Sequence, residues 1–194
     1  MRLSFVFIAA VGVLAASAIA HATAGPSRLG AIVVSVESRG LRAATGFVVA
    51  DGRVVTVAHA VGDGPVLVRG PGGAMRRASV VRRDDELDLA LLSVPGLEHD
   101  AAAALGGPRL VVLRDGVATT VPAVVLRRID AHVRNLATDD AFERPALELS
   151  ALIGAGDSGA PVIGADGRVA GVVFARSRER GGIAYAVELE AFLR

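Results

Sequence analysis

The sequence predicts an all-β fold of two six-stranded antiparallel β-barrels, followed by a short C-terminal helix. Three observations support this prediction. After residue 24 the chain consists of short, valine-rich apolar runs broken by glycine, proline and aspartate, with little helical periodicity. These runs fall into two sets of about six. The segment 95–108, which has proline and glycine at both ends, separates the two sets and is predicted to be a linker.

The N-terminal segment predicts export from the cytoplasm. Arg2 precedes an uncharged run from Leu3 to Ala20, and small-residue cleavage sites end at Ala20, Ala22 or Ala24. This pattern is typical of a signal peptide over residues 1–24. The run of 18 residues also meets the lower limit for a membrane span, so an uncleaved anchor is the alternative. Both interpretations predict a periplasmic, cell-envelope or secreted protein.

The first barrel is predicted over residues 25–94. Asp51-Gly52, between its second and third apolar runs, is a two-residue hairpin signal. The candidate strands of this half are 31–37, 43–50, 53–57, 65–69, 75–82 and 89–94.

The second barrel is predicted over residues 109–194. Asp166-Gly167 is its hairpin signal, and 188–194 is predicted to be the short helix. The candidate strands of this half are 109–113, 118–128, 146–150, 160–163, 168–175 and 182–187.

Net charge and cysteine content exclude several classes of partner and cofactor. The formal net charge is +1 in 194 residues, and loss of residues 1–24 would remove one arginine, leaving about zero. No nucleic-acid partner is therefore expected, and a membrane is expected only if the N-terminal segment stays uncleaved. The chain has no cysteine, so packing alone must hold the fold. Without a cysteine cluster or a His-Glu-x-x-His motif, no metal or other cofactor is predicted.

The segment Gly-Asp-Ser-Gly-Ala-Pro at 156–161 predicts a nucleophilic serine. A serine hydroxyl needs a base to take its proton, and its attack on a carbonyl creates an oxyanion that needs fixed donors. The flanking glycines permit backbone angles closed to other residues. We therefore expect the N–H groups of Gly156 and Ser158 to converge beside the Ser158 hydroxyl.

Chain order decides which partners Ser158 can have. An α/β-hydrolase needs a histidine after its nucleophile, and this chain has none there. A subtilisin-like order needs an aspartate well before the histidine, and only Asp51 in a hairpin turn precedes His59. The order His, Asp, Ser remains. All histidines precede the serine: His21, His59, His99 and His132.

His59 ends one predicted strand and Asp88 begins another. Because burying an unpaired carboxylate is costly, Asp88 should have a hydrogen-bonding partner. Asp84 and Asp85 are nearby alternatives, but leucines enclose Asp88 alone of the three.

Residues 43–61, 88–92 (DLALL) and 154–162 (GAGDSGAPV), with GVVFA at 171–175, together resemble the trypsin/chymotrypsin-like serine proteases. The resemblance is closest to bacterial HtrA-like enzymes, with no PDZ domain expected after Arg194. Two residues depart from the usual HtrA-like pattern. Asp157 stands where many of those sequences have asparagine, and Ala160 replaces a common second glycine.

The resemblance implies an exported serine endopeptidase that acts on proteins or peptides. Ser158 would attack the peptide carbonyl, His59 would move the proton, and Asp88 would orient His59. The N–H groups of Gly156 and Ser158 would form the oxyanion hole. Activity should then fall below about pH 6.5 as His59 protonates. The alternatives are a catalytically incompetent binding module and an esterase on the same scaffold.

By the family's layout, the first specificity pocket has no carboxylate at its base. We therefore expect small or medium apolar side chains to be preferred there over arginine or lysine. For Leu152 and Phe174, the alternative interpretation is that they are ordinary core residues. The predicted lining residues are Leu152, Phe174, Ala175, Gly182 and Ala184.

The resemblance also implies that Asp157 pairs with a cation. Trypsin-like zymogens use a new N-terminus for this purpose, and some bacterial relatives use an internal cation. No activation site of the form Arg/Lys-Ile-Val precedes residue 45. An arginine such as Arg127 or Arg128 is the predicted partner.

Overall fold

The computed structural model covers both predicted halves of the chain. The predicted signal segment 1–24 and the middle of the predicted linker lie outside the described residues. The structure describes residues 33–38, 41–70, 73–98, 108–134 and 141–193.

Six antiparallel strands of the first half close into a barrel with neighbours in the order β1-β2-β3-β6-β5-β4. The predicted hairpin at Asp51-Gly52 is present, since Ala50 pairs with Arg53 and Gly52 has a φ of +63°. The strands are β1 (Val33–Ser38), β2 (Leu41–Ala50), β3 (Arg53–Val57), β4 (Val66–Arg69), β5 (Met75–Asp84) and β6 (Leu89–Ser93).

The second half is an antiparallel sheet of seven strands in the order β8-β7-β11-β12-β13-β10-β9. Asp166-Gly167 lies in the turn between the paired strands β11 and β12, as predicted. The strands are β7 (Arg109–Arg114), β8 (Val117–Pro122), β9 (Val124–Arg134), β10 (Ala141–Ser150), β11 (Pro161–Ile163), β12 (Val169–Arg176) and β13 (Ile183–Glu188).

The predicted all-β class with two halves and a short terminal helix is confirmed, but the described second half is a seven-stranded sheet instead of a six-stranded barrel. The predicted strand 118–128 divides at Ala123 into β8 and β9. β8 ends at Pro122, which has no N–H to continue the ladder. The helix α1 (Leu189–Leu193) closes the chain. Within the described ranges, no helix has the length and apolar character needed to cross a membrane.

Buried side chains form three clusters, and the largest joins the two halves. Strand alternation sends successive residues of β2 to different clusters: Phe47 packs between the halves, and Val48 packs inside the first barrel. Val111 and Phe192 of the second half contact the same shared cluster as Phe47. The two halves are therefore packed against each other through one shared cluster.

Candidate active site

Strand pairing in the first barrel brings His59 and Asp88 together. β3 pairs with β6 so that Val57 lies opposite Leu89. Just beyond this pair, the Ala58 N–H donates a hydrogen bond to the Asp88 carbonyl oxygen at 2.9 Å. His59 follows in a single 3₁₀ turn. The side chains of His59 and Asp88 therefore meet at the end of the β3–β6 pair.

Asp88 binds His59 through both carboxylate oxygens. Oδ1 accepts the main-chain N–H of His59 at 2.9 Å, and Oδ2 lies 2.7 Å from its Nδ1. Asp88 has a φ of +58°, a left-handed conformation that aspartate adopts more readily than most residues. A carboxylate accepts hydrogen bonds, so Nδ1 carries the proton and Nε2 is the basic nitrogen of neutral His59.

The structure distinguishes Asp88 from its two sequence alternatives. Asp84 accepts the Leu87 N–H at 2.8 Å and thereby caps the turn before β6. Asp85 is exposed and pairs with Arg83 at 2.8 Å. Of the three carboxylates, the structure places Asp88 against the histidine.

Ser158 follows a loop of the second half and is tied to the first barrel. Its carbonyl oxygen accepts the Thr45 N–H of β2 at 2.8 Å. The Thr45 carbonyl oxygen in turn accepts the Thr56 hydroxyl of β3 at 2.8 Å. Thr56 lies three residues before His59. Ser158 and His59 are thus held to the same pair of strands, although no hydrogen bond joins them among the described residues.

Gly159 is the position where the two backbones approach most closely. A Cβ built on Gly159 would lie 1.8 Å from the Thr45 carbonyl oxygen and 2.8 Å from Thr56 Oγ1. Gly159 also has a φ of +85°, in the left-handed region that favours glycine. The contact between Ser158 and β2 therefore requires glycine after the serine.

The loop before Ser158 contains the predicted oxyanion donors. Gly156 has a φ of +83°, and its carbonyl oxygen accepts the Thr45 hydroxyl at 2.8 Å. The loop is closed on itself by the Asp157 N–H, which donates to the Gly154 carbonyl oxygen at 3.3 Å. The Ser158 N–H has no protein acceptor within the described part of the chain. The arrangement leaves this N–H available to an incoming oxygen.

Asp157 is buried, with 2% of its surface exposed, and pairs with Arg114. Its Oδ2 accepts the Gly154 N–H at 2.8 Å and lies 3.1 Å from Arg114 Nη2. Arg114 Nη2 also donates to the Leu152 carbonyl oxygen at 3.1 Å. One guanidinium therefore joins both ends of the loop that precedes Ser158.

The prediction of Arg127 or Arg128 as the partner of Asp157 is wrong, although an internal arginine does fill that role. Arg127 pairs with Glu148 at 3.1 Å and Arg128 with Glu188 at 3.4 Å. These arginines belong to β9, whose neighbour in the sheet is β10. β7 instead pairs antiparallel with β11, Leu110 opposite Val162, so its last residue reaches the Asp157 loop.

Sequence reasoning also missed Arg144, a buried arginine of β10 with 3% of its surface exposed. Its Nη1 lies 3.7 Å from Asp88 Oδ2, and its Cζ lies 5.2 Å from the centre of the Phe174 ring. Burial lowers the pKa of this guanidinium, and the charges of Asp88 and Asp84 oppose that shift. The predicted strand began at 146, beyond this arginine, so no sequence signal singled it out.

The structure does not bring the predicted specificity residues into one described cavity. Leu152 is 74% exposed and lines an apolar cavity of about 430 Å³ with Gly182. Phe174 and Ala175 line a separate cavity of about 620 Å³. Ala184 is fully buried in the core of the second half. The described lining of the first cavity is mostly apolar.

Glu148 forms a charged wall of the larger cavity. Its carboxylate lies 3.1 Å from Arg127 and 2.9 Å from Arg180. Hydrogen bonds from Arg180 and then Arg127 lower the pKa of Glu148 to about 2. Arg180 also contacts the Tyr185 hydroxyl at 3.1 Å. No cluster of metal-binding side chains was found among the residues that the structure describes.

Residues 44–172 match the trypsin-like peptidase domain. The chain therefore belongs to the trypsin-like serine protease family, in agreement with its fold of two β halves.

Known relatives are bacterial serine proteases. Serine protease Rv3671c of Mycobacterium tuberculosis is 34% identical over 139 residues, which are 67% of this chain and 35% of that protein. A probable periplasmic DegP-like serine endoprotease of Ectopseudomonas mendocina is 29% identical over 160 residues, 77% of this chain and 33% of that protein. The chain thus spans about a third of the length of these curated relatives. The predicted resemblance to HtrA-like proteases is confirmed.

The crystal structure of the active form of the Rv3671c protease superposes with a TM-score of 0.70 and 30% identity. The match covers 84% of this chain and 78% of that one. This neighbour shares the chymotrypsin-like architecture of two β halves.

Proposed function

We propose that this protein is a serine endopeptidase that hydrolyses peptide bonds through His59, Asp88 and Ser158. The observation that carries the proposal is the double hydrogen bond between Asp88 and His59, at 2.9 Å to the main chain and 2.7 Å to the ring. This contact fixes both the position and the tautomer of the histidine. Such a tautomer is what a general base beside a serine requires.

The proposed reaction assigns one proton path to these residues. His59 Nε2 takes the proton of the Ser158 hydroxyl as the oxygen attacks the peptide carbonyl, and later gives it to the leaving amine. Asp88 stabilises the imidazolium without taking the proton. Water then hydrolyses the acyl-enzyme, with His59 again acting as base. Catalytic hydrogen bonds commonly tighten only when substrate binds, so the proposal does not require a His59–Ser158 hydrogen bond in the free protein.

The oxyanion is proposed to bind the N–H groups of Gly156 and Ser158. One such donor typically contributes a factor of about 10² to 10³ in kcat. The supporting observation is the loop closure by Arg114 and Asp157, which ties the Leu152 carbonyl and the Gly154 N–H to one ion pair. We infer that the loop needs no new N-terminus to form, and hence no proteolytic activation.

Substrate preference is proposed to be small or medium apolar at the residue before the cleaved bond. The apolar cavity beside Leu152 and Gly182 supports this, because none of its described lining residues is charged. Phe174, Ala175 and Ala184 stay predicted lining residues. A peptide library cleaved fastest after alanine or valine is the expected result, and faster cleavage after arginine would contradict it.

The proposed location is outside the cytoplasm. The predicted signal segment 1–24 supports it, and so does the relative whose name describes it as periplasmic. Cell fractionation of the tagged protein should find it in the envelope or the medium.

The decisive experiment is labelling of purified protein with a fluorophosphonate probe. Wild-type protein should be labelled and Ser158→Ala should not. Cleavage of a peptide as well as an ester then separates the proposed endopeptidase from an esterase. A wild-type protein that is folded but unlabelled would instead support a binding module.

A further inference from the structure

We propose that Arg144 is a positioning residue that acts through Asp88 on His59. This inference rests on the proposed function, because it concerns how the same triad is held. Arg144 comes from β10 of the second half, whereas Asp88 belongs to the first barrel. The ion pair between them therefore crosses from one half to the other at the catalytic carboxylate.

The buried position of Arg144 lowers the stability of the fold. Nε and Nη1 are buried and have no hydrogen-bond partner among the described residues. Buried polar groups of native proteins are almost always paired, so two open donors on one buried side chain call for an explanation. A role in packing alone would be met more cheaply by an apolar residue of similar length.

One of the two unpaired nitrogens of Arg144 lies near Asp88. Nη1 lies 3.7 Å from Asp88 Oδ2, the oxygen that binds the His59 ring. A closure of about 0.8 Å would convert this contact into a charge-assisted hydrogen bond of about 2.9 Å. Asp88 would then have a donor on each side, one from His59 and one from Arg144.

Arg144 also contacts a residue that lines the larger cavity. The guanidinium of Arg144 lies over the Phe174 ring, at 5.2 Å from Cζ to the ring centre. Phe174 lines that cavity together with Ala175. Arg144 therefore lies between this cavity wall and Asp88.

The charges around Arg144 determine the expected pH effect. Asp88 and Asp84 are the carboxylates that act on its guanidinium, and Asp84 is itself 3.9 Å from Arg82. The preceding residue of β10, Glu143, is 62% exposed and faces His132. The negative charge of Asp88 favours the protonated form of His59. The positive charge of Arg144 offsets part of that negative charge and therefore opposes protonation of His59. Removing it should therefore move the acid limb of activity to higher pH.

The test is the pH dependence of fluorophosphonate labelling in Arg144→Met. The maximal labelling rate should fall about 10-fold, and its acid midpoint should rise by about 0.5 to 1 pH unit. The probe concentration for half-maximal rate should not change, because Arg144 is buried and does not touch the probe. Arg144→Lys, which keeps the charge, should restore the midpoint. Arg144→Gln keeps a donor in the buried site and is a second neutral variant if Arg144→Met does not fold.

Arg82→Met is the matched control. Arg82 also joins the two halves, since its guanidinium lies 4.5 Å from the Phe192 ring centre and donates to the Phe192 carbonyl oxygen at 2.6 Å. Its loss should lower thermal stability and leave the acid midpoint unchanged. If the wild-type protein is not labelled, both the proposed function and this inference are wrong. A labelled wild type with unchanged rate and midpoint in the neutral Arg144 variants would overturn the inference alone.

Discussion

The surroundings of Asp157 and Asp88 differ in which partner is buried. Asp157 is 2% exposed and meets an arginine, Arg114, that is 46% exposed. Asp88 is 14% exposed and meets Arg144, which is 3% exposed. The first contact is a hydrogen bond at 3.1 Å, and the second is a longer ion pair at 3.7 Å.

This difference shows two uses of the same pair of residue types. At Asp157 the guanidinium keeps most of its hydration and completes the hydrogen bonding of a buried carboxylate, so the contact fixes a loop. At Asp88 the guanidinium has lost its hydration without gaining hydrogen bonds for two of its nitrogens. The contact there acts by charge, on a carboxylate that is already held by His59.

The largest expected effect comes from Asp88→Asn. The amide cannot hold the Nδ1 tautomer of His59, so kcat should fall about 10⁴-fold while the fold is kept; the magnitude is the one known for the corresponding change in a trypsin-like triad. Peptide hydrolysis and circular dichroism would measure the two parts. Asp85→Asn is the control, because Asp85 is exposed and pairs with Arg83 instead of His59, and it should retain wild-type activity. Equal losses in both variants would contradict the assignment of Asp88.

The next effect is that of Arg114→Met. It leaves the Asp157 carboxylate buried without its cation, which typically costs about 3 kcal/mol or more. The loop before Ser158 should loosen, and kcat should fall about 100-fold, as for the loss of one oxyanion donor. Chemical denaturation and peptide hydrolysis would test this. Arg114→Met combined with Asp157→Asn should regain part of the lost stability, since no buried charge then lacks a partner.

A third carboxylate, Glu148, extends the comparison, because two arginines bind it at once. The pKa of Glu148 is lowered from 4.5 to about 2, first by Arg180 and then by Arg127. A lowered folded-state pKa means that the stabilisation is present above pH 4.5 and is lost as the pH falls towards 2. Glu148→Gln should therefore melt below wild type at pH 7. The difference in Tm should narrow between pH 4.5 and 2, and a constant difference would contradict this account.

The smallest effect is expected for Leu152→Ser. The carbonyl oxygen of Leu152 binds Arg114, but its side chain is 74% exposed. Stability should change by less than about 0.5 kcal/mol, because the ion pair needs only the main chain. Thermal unfolding at one pH is sufficient to measure it. A loss as large as that of Arg114→Met would mean that the side chain, and not the guanidinium, holds the loop.

Most of the fold could be predicted because its signals are local. Apolar alternation and the turns at Asp51-Gly52 and Asp166-Gly167 placed the strands of the first barrel and most of those in the second. The division at Ala123 was missed because β-branched and apolar residues continue on both sides of Pro122, and these outweighed the interruption that the proline itself indicates.

For the candidate site, too, the sequence predicts the features with local signals and misses those that depend on long-range pairing. Chain order and apolar surroundings led to the prediction of His59, Asp88 and Ser158, and the structure brings the first two into contact. The arginines were not predictable in this way. Arg114 is 43 residues from Asp157 in sequence, and Arg144 reaches Asp88 from a strand of the other half. Contacts between long side chains depend on strand register, which no local pattern in the chain encodes.

The hydrogen bond from the Thr45 N–H to the Ser158 carbonyl oxygen has a consequence for thermal inactivation. Ser158, the proposed nucleophile in the second half, is hydrogen-bonded to the main chain of the first barrel, and Gly159 leaves no space between them. Because the shared core packs the same two halves together, we expect Ser158 to leave the first barrel only when that core opens. Heat should therefore abolish activity in the same cooperative transition that melts the β-structure, without an earlier stage in which a folded protein is inactive.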